Sequence, residues 1–384
     1  AQLSRLYPYR GKVIYEKDVE IPKSMTGKDL SLYMERTKPS TLWIDGDSIG
    51  AGKQLYAPHI YPLPKLKAGL HHITIAVDNS DTLYPSCIRG SHAWTDATQT
   101  NWNGILGEFK IVAAPKTKIV DCQVYPDIEK KEARVRLKIY AAQKESVSLS
   151  LKRSSFDNEN PDNCCVTRSI PLKPGENEIE IPLNLGNNPR LWSEYHPDLY
   201  TLTATLRSRY GADEISKQVG VRKFEIAGTQ FVINGKKTFM RGTHDGCVFP
   251  LTGYAPTDVE EWKRLFIIAK EYGINHFRFH SYTPTEAAFQ AADEIGIYLQ
   301  TELPLWGAID SSTEDVNGII RHEAFTLLQY LGNRPSFMGL GLGNEIWGDA
   351  EMMCEWLDEF RAADDRHLYC FGSNNDLGFL GPKE

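Results

Sequence analysis

No stretch of these 384 residues strings together enough apolar side chains to cross a bilayer, because a spanning helix needs about 20 of them. The opening, Ala1 to Arg10, lacks a charged start followed by an apolar run, so no signal peptide is expected. Excess positive charge is missing as well. Lys and Arg number 43 against 50 Asp and Glu, for a net charge of −7. That balance argues against a nucleic-acid partner, since such binders carry basic patches. The seven cysteines, an odd count, show no pairing pattern. Cys164 and Cys165 adjoin, while Cys87, Cys122, Cys247, Cys354 and Cys370 are scattered. None of them forms a CxxC or a Cys/His cluster with zinc spacing. We read free, mostly buried thiols, with no disulfide framework, no metal and no other cofactor. A periplasmic or secreted setting stays compatible with this, and so does a homo-oligomer. Phosphate-binding loops of the GxGxxG or GxxxxGK[ST] kind are absent after every expected strand.

The chain does contain patterned segments in a definite order. At this length two or three domains are expected. Residues 1–114 alternate in short runs. In HHITIAVDN, Ile73, Ile75 and Val77 point one way, and Asp45-Gly46-Asp47 and Lys67-Ala68-Gly69 read as turns. The expectation is a jelly-roll β-sandwich. Its stretch Ser91 to Gly107 is polar and aromatic without period. It reads either as a loop reaching a neighbouring site, with Trp94 and Trp102 as sugar platforms, or as a packed inter-domain loop. Residues 115–227 alternate more strictly. Val135, Leu137 and Ile139 oppose Arg134, Arg136 and Lys138, and Ile179, Ile181 and Leu183 share a face. An immunoglobulin-like sandwich is expected there, serving as a spacer.

From residue 228 the period changes. Phe239 to Gly242 reads as a strand, then Val259, Trp262, Leu265, Phe266 and Ala269 share a helical face. Thr257 with Glu260, and Thr283 with Glu286, read as capping boxes. Strands at Ile274–Phe279, Ile297–Leu299, Phe337 onward and Leu368–Phe371 alternate with helices, which means βαβ units and a parallel sheet. The expected strand ends carry Thr243-His244-Asp245, then Arg278-Phe279-His280, then Glu302, then Asn344-Glu345. Ionisable or amide groups at the carboxyl ends of successive strands are the signature of a (β/α)8 barrel active site. The strand FMGLGLGNEIWGD carries Gly339, Gly341 and Gly343 at alternate positions, so something approaches one of its faces closely. We expect it to give way to a loop at Asn344-Glu345 and take Glu345 as a general acid/base. In isolation a solvated loop carboxylate would look the same.

In this order the segments resemble glycoside hydrolase family 2, the β-galactosidases, β-glucuronidases and β-mannosidases. SEYHPDLYTLTATL, GVRKFEI with FVINGKKTFMRGTHD, HFRFHSYTP and GLGNEIWGD carry the likeness, over nearly the whole chain. The resemblance implies a jelly roll, an immunoglobulin-like sandwich and the first part of a TIM barrel over residues 228–384. It implies hydrolysis of terminal β-linked sugars, with a β-galactoside the first expectation. Glu345 would be the acid/base and Asn344 would bond the sugar 2-hydroxyl. Arg278 and His280 would shape the subsite, and His244, Asp245 and Glu302 would contact hydroxyls. Trp306 or Trp347 would offer a stacking face, with core packing the alternative for either alone.

A retaining glycosidase also needs a nucleophilic carboxylate about 5–5.5 Å from the first. In the family this stands on the seventh barrel strand, and the chain carries five expected strands. The expectation is a nucleophile beyond Glu384 and an inactive 1–384 piece. Two other readings compete: a non-catalytic carbohydrate-binding or scaffold protein that uses the jelly roll, and a hydrolase working from Glu302 and Glu345 alone.

Overall fold

The structure is a computed structural model that describes residues 9–97, 101–155, 164–310 and 316–373. Residues 98–100 of the aperiodic Ser91–Gly107 stretch lie outside the described residues.

The amino-terminal strands build two facing antiparallel sheets. One joins Lys12–Ile21, Gly69–Asp78, Ser40–Ile44 and Asp47–Gly52, and the other joins His59–Pro62, Asp29–Thr37 and Ile105–Ala114. Between them pack Leu32, Met34, Leu42, Ile44, Ile73, Ile75 and Val77, all buried. The turn at Asp45-Gly46 works because both residues take positive φ, 52° and 89°, as a tight hairpin demands. A second sandwich follows. Its sheets are Cys164–Leu172, Glu145–Ser155, Tyr200–Ser208 and Gly211–Val219 on one side, and Gly175–Asn184, Glu132–Ala141 and Lys118–Asp127 on the other. Val135, Leu137 and Ile139 are fully buried, as their alternation predicts. A small antiparallel sheet, Phe224–Ala227, Gln230–Ile233 and Lys236–Thr238, leads into the last part.

There a parallel sheet curls through Gly242–Asp245, His276–Phe279, Tyr298–Glu302, Phe337–Gly348 and Leu368–Ser373. Helices Val259–Glu271, Glu286–Ile295, Val316–Leu331 and Ala350–Ala363 alternate with the strands. Together they make a partial (β/α)8 barrel beside the sandwiches. Trp262, Phe266 and Ala269 bury the expected face of the first helix.

Local details differ from the sequence reading. The first parallel strand is Gly242–Asp245, so Phe239 lies outside it and is 78% exposed. Neither capping box forms. Asp258 caps the first helix by accepting from the Glu261 amide. Thr285 instead donates to the Pro256 carbonyl, and Thr283 to that of Glu302. Those two hydroxyls are spent on tying loops together. All seven cysteines are free, but only Cys87, Cys122 and Cys247 are buried, fewer than expected.

The strand Phe337–Gly348 does not end at Asn344. Its first half pairs with Tyr298–Glu302, and its second half pairs with a strand the sequence reading missed, Trp306–Ile309. The alternating glycines explain how so much fits beside it. A Cβ on Gly339 would lie 3.1 Å from the Leu368 carbonyl oxygen, and one on Gly341 would lie 3.1 Å from Glu302 Cγ. At Gly343 a Cβ would come within 2.1 Å of the Leu305 carbonyl oxygen, a backbone atom with nowhere to go. We therefore expect Gly343→Ala to cost about 3 kcal/mol, at the upper end for overpacking, read as a lowered urea midpoint. Gly341→Ala meets only a side chain and should cost less.

The sandwiches are fastened to this sheet by buried polar contacts. The Glu323 carboxylate, 1% exposed, accepts from the amides of Leu55, Tyr56 and Ala57 at 2.6–2.8 Å. Arg36 donates to the carbonyls of Thr283 and Pro284. From the second sandwich side, Arg222 donates to the carbonyls of Pro335 and Phe337, both at 2.6 Å. Loop residues of the first sandwich, Tyr84, Cys87, Ile88 and Trp94, share one apolar cluster with the barrel helices. Trp94 is 1% exposed. It is therefore an inter-domain packing residue and not a sugar platform. The Lys38 ammonium stands 4.7 Å from the Trp102 ring.

Candidate active site

The strand ends meet at one rim, and the backbone there is unusual. Asn344 pairs with Trp306 while Trp347 pairs with Ala308. Glu345 and Ile346 thus face one residue, Gly307, which is a β-bulge. A bulge re-aims a side chain, and Glu345 sits in it with φ +48°. A non-glycine residue in the left-handed region is strained and is held there by its surroundings. The Trp306 indole N–H donates to Glu345 Oε2 at 2.8 Å. Glu345 is partly exposed, so its carboxyl is neither sealed in apolar packing nor turned away from the cluster.

Below it lies a charged network. Arg278 donates through Nε to Glu302 Oε1 at 2.8 Å and through Nη2 to Asn344 Oδ1 at 2.8 Å. The Ser281 amide donates to Glu302 Oε2 at 2.6 Å. Asn344 is buried, 3% exposed, and its amide is oriented by this arginine. Glu302 is fully buried. Both its oxygens are engaged, which corrects the expectation that it contacts sugar hydroxyls: its part is to hold Arg278. The same burial removes Glu302 and Glu345 as a self-sufficient catalytic pair. Loss of solvent drives the Glu302 carboxyl up to about 7, with Arg278 and the Ser281 amide pulling the other way. Here desolvation outweighs one cation and one backbone donor.

Three imidazoles gather beside the carboxylates. His280 lies edge-on to Trp306 with ring centroids 4.6 Å apart, and His244 is edge-on to His280 at 5.0 Å. Burial, then Arg278 and His244, push His280 down to about 4. It is neutral at ordinary pH and cannot serve as a cationic donor. Burial and Arg278 also lower His244, which is exposed at the rim. The third ring is His92, from the first sandwich, stacked on His280 at 4.5 Å. The sequence reading missed it, although the loop reading of Ser91–Gly107 pointed towards a site. Asp245 Oδ1 accepts from the Cys247 amide at 2.6 Å, an engagement within its own loop. Burial raises its carboxyl, with that amide opposing. Trp347 is 47% exposed beside the rim, whereas Trp306 faces inward as the donor to Glu345. No group of three His, Cys, Asp or Glu side chains able to hold a metal occurs among the described residues.

Two antiparallel sandwiches docked on a partial parallel β/α barrel define a multidomain protein whose polar groups collect at the carboxyl ends of the barrel strands. The family profile described as glycosyl hydrolases family 2 matches residues 117–222. A protein of Formosa agariphila that carries the provisional name beta-glucuronidase is 26% identical over 360 residues, spanning 91% of this chain and 41% of that relative. A beta-galactosidase of Halalkalibacterium halodurans is 21% identical, spanning 92% of this chain and 35% of its own length. Among solved structures, beta-glucuronidase 2 of Bacteroides uniformis superposes with a TM-score of 0.77 at 20% identity, over 94% of this chain and 46% of that one. The chain is thus similar to glycoside hydrolase family 2, by the profile match over residues 117–222 and by these relatives along most of its length. It spans less than half the length of these relatives.

Proposed function

We propose that the complete protein hydrolyses terminal β-linked sugars with retention of configuration, and that Glu345 is its acid/base. The observation that carries this is the Glu345 carboxyl, partly exposed at the barrel rim, fixed by the Trp306 N–H and flanked by an Asn344 amide that Arg278 orients. In the first step the protonated Glu345 gives its proton to the glycosidic oxygen as the bond to the anomeric carbon breaks. In the second, the carboxylate takes a proton from the water that attacks the glycosyl-enzyme. Asn344 bonds the sugar 2-hydroxyl, a contact that strengthens as positive charge grows at the anomeric carbon. His244 and Asp245 line the subsite with His280, and Trp347 supplies an exposed ring face. Retention further requires a nucleophilic carboxylate about 5–5.5 Å from Glu345.

The division is jelly roll over 1–114, spacer sandwich over 115–227 and catalytic barrel from 228. Galactosides and glucuronides are the substrate classes supported by the names of the relatives. The test offers the complete protein a panel of aryl β-glycosides, β-galactoside and β-glucuronide included, and follows the first-formed sugar by NMR. Release of the β-anomer supports the proposal. The α-anomer, or no turnover on any β-glycoside, overturns it.

A further inference from the structure

Every group assigned above to acid/base work comes from the barrel, yet the ring packed deepest behind Glu345 does not. His92 belongs to the first sandwich. It follows a short helix, Ser86–Arg89, and a turn in which Ser91 Oγ donates to the Ile88 carbonyl. Its neighbour Trp94 anchors the segment in the shared core, and the buried Lys38 ammonium donates to the Ala93 carbonyl. The His92 amide donates to Ser281 Oγ at 3.1 Å, so both ends of the residue are pinned. The imidazole then lies 4.5 Å from His280, nearly parallel at 26°, and 5.5 Å from Trp306, edge-on at 71°. His280 and Trp306 touch each other at 4.6 Å. The three rings form a closed aromatic triangle, and one corner carries the N–H that holds Glu345.

His92 is 3% exposed, and neither ring nitrogen makes a well-aligned hydrogen bond among the described residues, although the His280 backbone lies close enough to act on the ring. Buried polar atoms without partners are costly. What the structure does show of its contribution is the packed plane against His280 and Trp306. With both nitrogens enclosed, it does not reach the substrate.

We infer that His92 is a positioning residue for the acid/base: its ring wedges His280 against Trp306 and so fixes the direction of the Trp306 N–H towards Glu345. This rests on the reading of Glu345 as acid/base. A displaced acid matters in proportion to how much the leaving group needs a proton. Alkyl glycosides need it, whereas a dinitrophenyl glycoside leaves readily as its anion. A fault confined to the acid therefore shows up as a leaving-group-dependent loss. Damage to the fold lowers all substrates alike.

The experiment measures kcat/KM of the complete protein and its variants on alkyl and dinitrophenyl β-glycosides. His92→Ala is expected to lose about 10²-fold on the alkyl substrate, the scale of a misplacement of about 1 Å. On the dinitrophenyl substrate the loss should be less than about threefold, because proton transfer then contributes little. Trp306→Phe, which removes the N–H, should show the same pattern, and adding His92→Ala to it should cost little more. His92→Leu fills the volume without a flat ring and gives the same signature if the alanine variant does not fold. Equal losses on both substrates, additive losses with Trp306→Phe, or unchanged activity overturn the inference. Glu345→Gln runs alongside. If it shows the leaving-group-dependent loss and His92→Ala does not, only this inference fails. If Glu345→Gln loses nothing, the acid/base reading itself fails.

Discussion

Glu345→Gln in the complete protein should lower kcat/KM on alkyl β-glycosides by about 10²–10⁴-fold, the range that a positioned general acid contributes. Substrate affinity should change little. Glutamine keeps the shape and still offers a carbonyl oxygen to the Trp306 N–H, which now reaches Glu345 Oε2 at 2.8 Å. What it lacks is a proton to give and a charge to take one back. Steady-state kinetics together with binding of a non-hydrolysed thioglycoside separate the two effects. A variant that binds and does not turn over alkyl substrates fits the account. A variant that turns over normally removes Glu345 from the mechanism.

The second large effect concerns what lies under the site. Arg278→Met leaves Glu302 fully buried without its cation, and breaking such a pair costs on the order of 3 kcal/mol or more. The penalty should depend on pH, and its sign follows from the carboxyl. Glu302 is already raised to about 7 by desolvation, and Arg278 is the strongest influence pulling it down. Without the arginine it rises further above its unfolded value. The folded state then holds a proton that the unfolded chain releases once pH passes the usual carboxylate range. The native Glu302 also stays protonated up to about 7, so the added destabilisation changes little with pH below 7 and grows as pH rises beyond it. Urea midpoints at pH 5 and pH 8 check this, and Arg278→Met with Glu302→Gln should recover part of the loss at pH 8. The single variant should also loosen Asn344, whose Oδ1 accepts from the same guanidinium.

Much of this architecture was legible because burial leaves a period. Val135, Leu137 and Ile139 alternate with arginines and lysine, and that alone places them in a sandwich core. The switch to helical spacing at Val259, Trp262 and Phe266 marks the change to a β/α sheet. The polar strand ends likewise pointed to one rim, and there the structure joins Arg278, Glu302 and Asn344 by hydrogen bonds.

What was hidden depends on contacts distant in the chain. The strand Trp306–Ile309 is only four residues and has no alternation of its own, so its pairing with the end of Phe337–Gly348 leaves no local trace. That pairing creates the bulge, and the bulge aims Glu345. His92 sits in an aperiodic loop, and its partners His280 and Trp306 lie some 190 and 210 positions later in the numbering. The failed capping boxes show the same limit. Thr283 has the right spacing to Glu286, but the Glu302 carbonyl, a tertiary acceptor, claims its hydroxyl. The family resemblance implied a substrate contact for Glu302. Only the three-dimensional structure reveals that Arg278 and the Ser281 amide consume it.

Chemical rescue of Glu345→Ala in the complete protein tests the central claim most directly. Removing the side chain opens a space next to the anomeric carbon, and a small anion such as azide can attack a glycosyl-enzyme without needing a general base. The account predicts that azide restores turnover of a dinitrophenyl β-glycoside and that the product is the β-glycosyl azide. Turnover indifferent to azide, or an α-glycosyl azide, would contradict it.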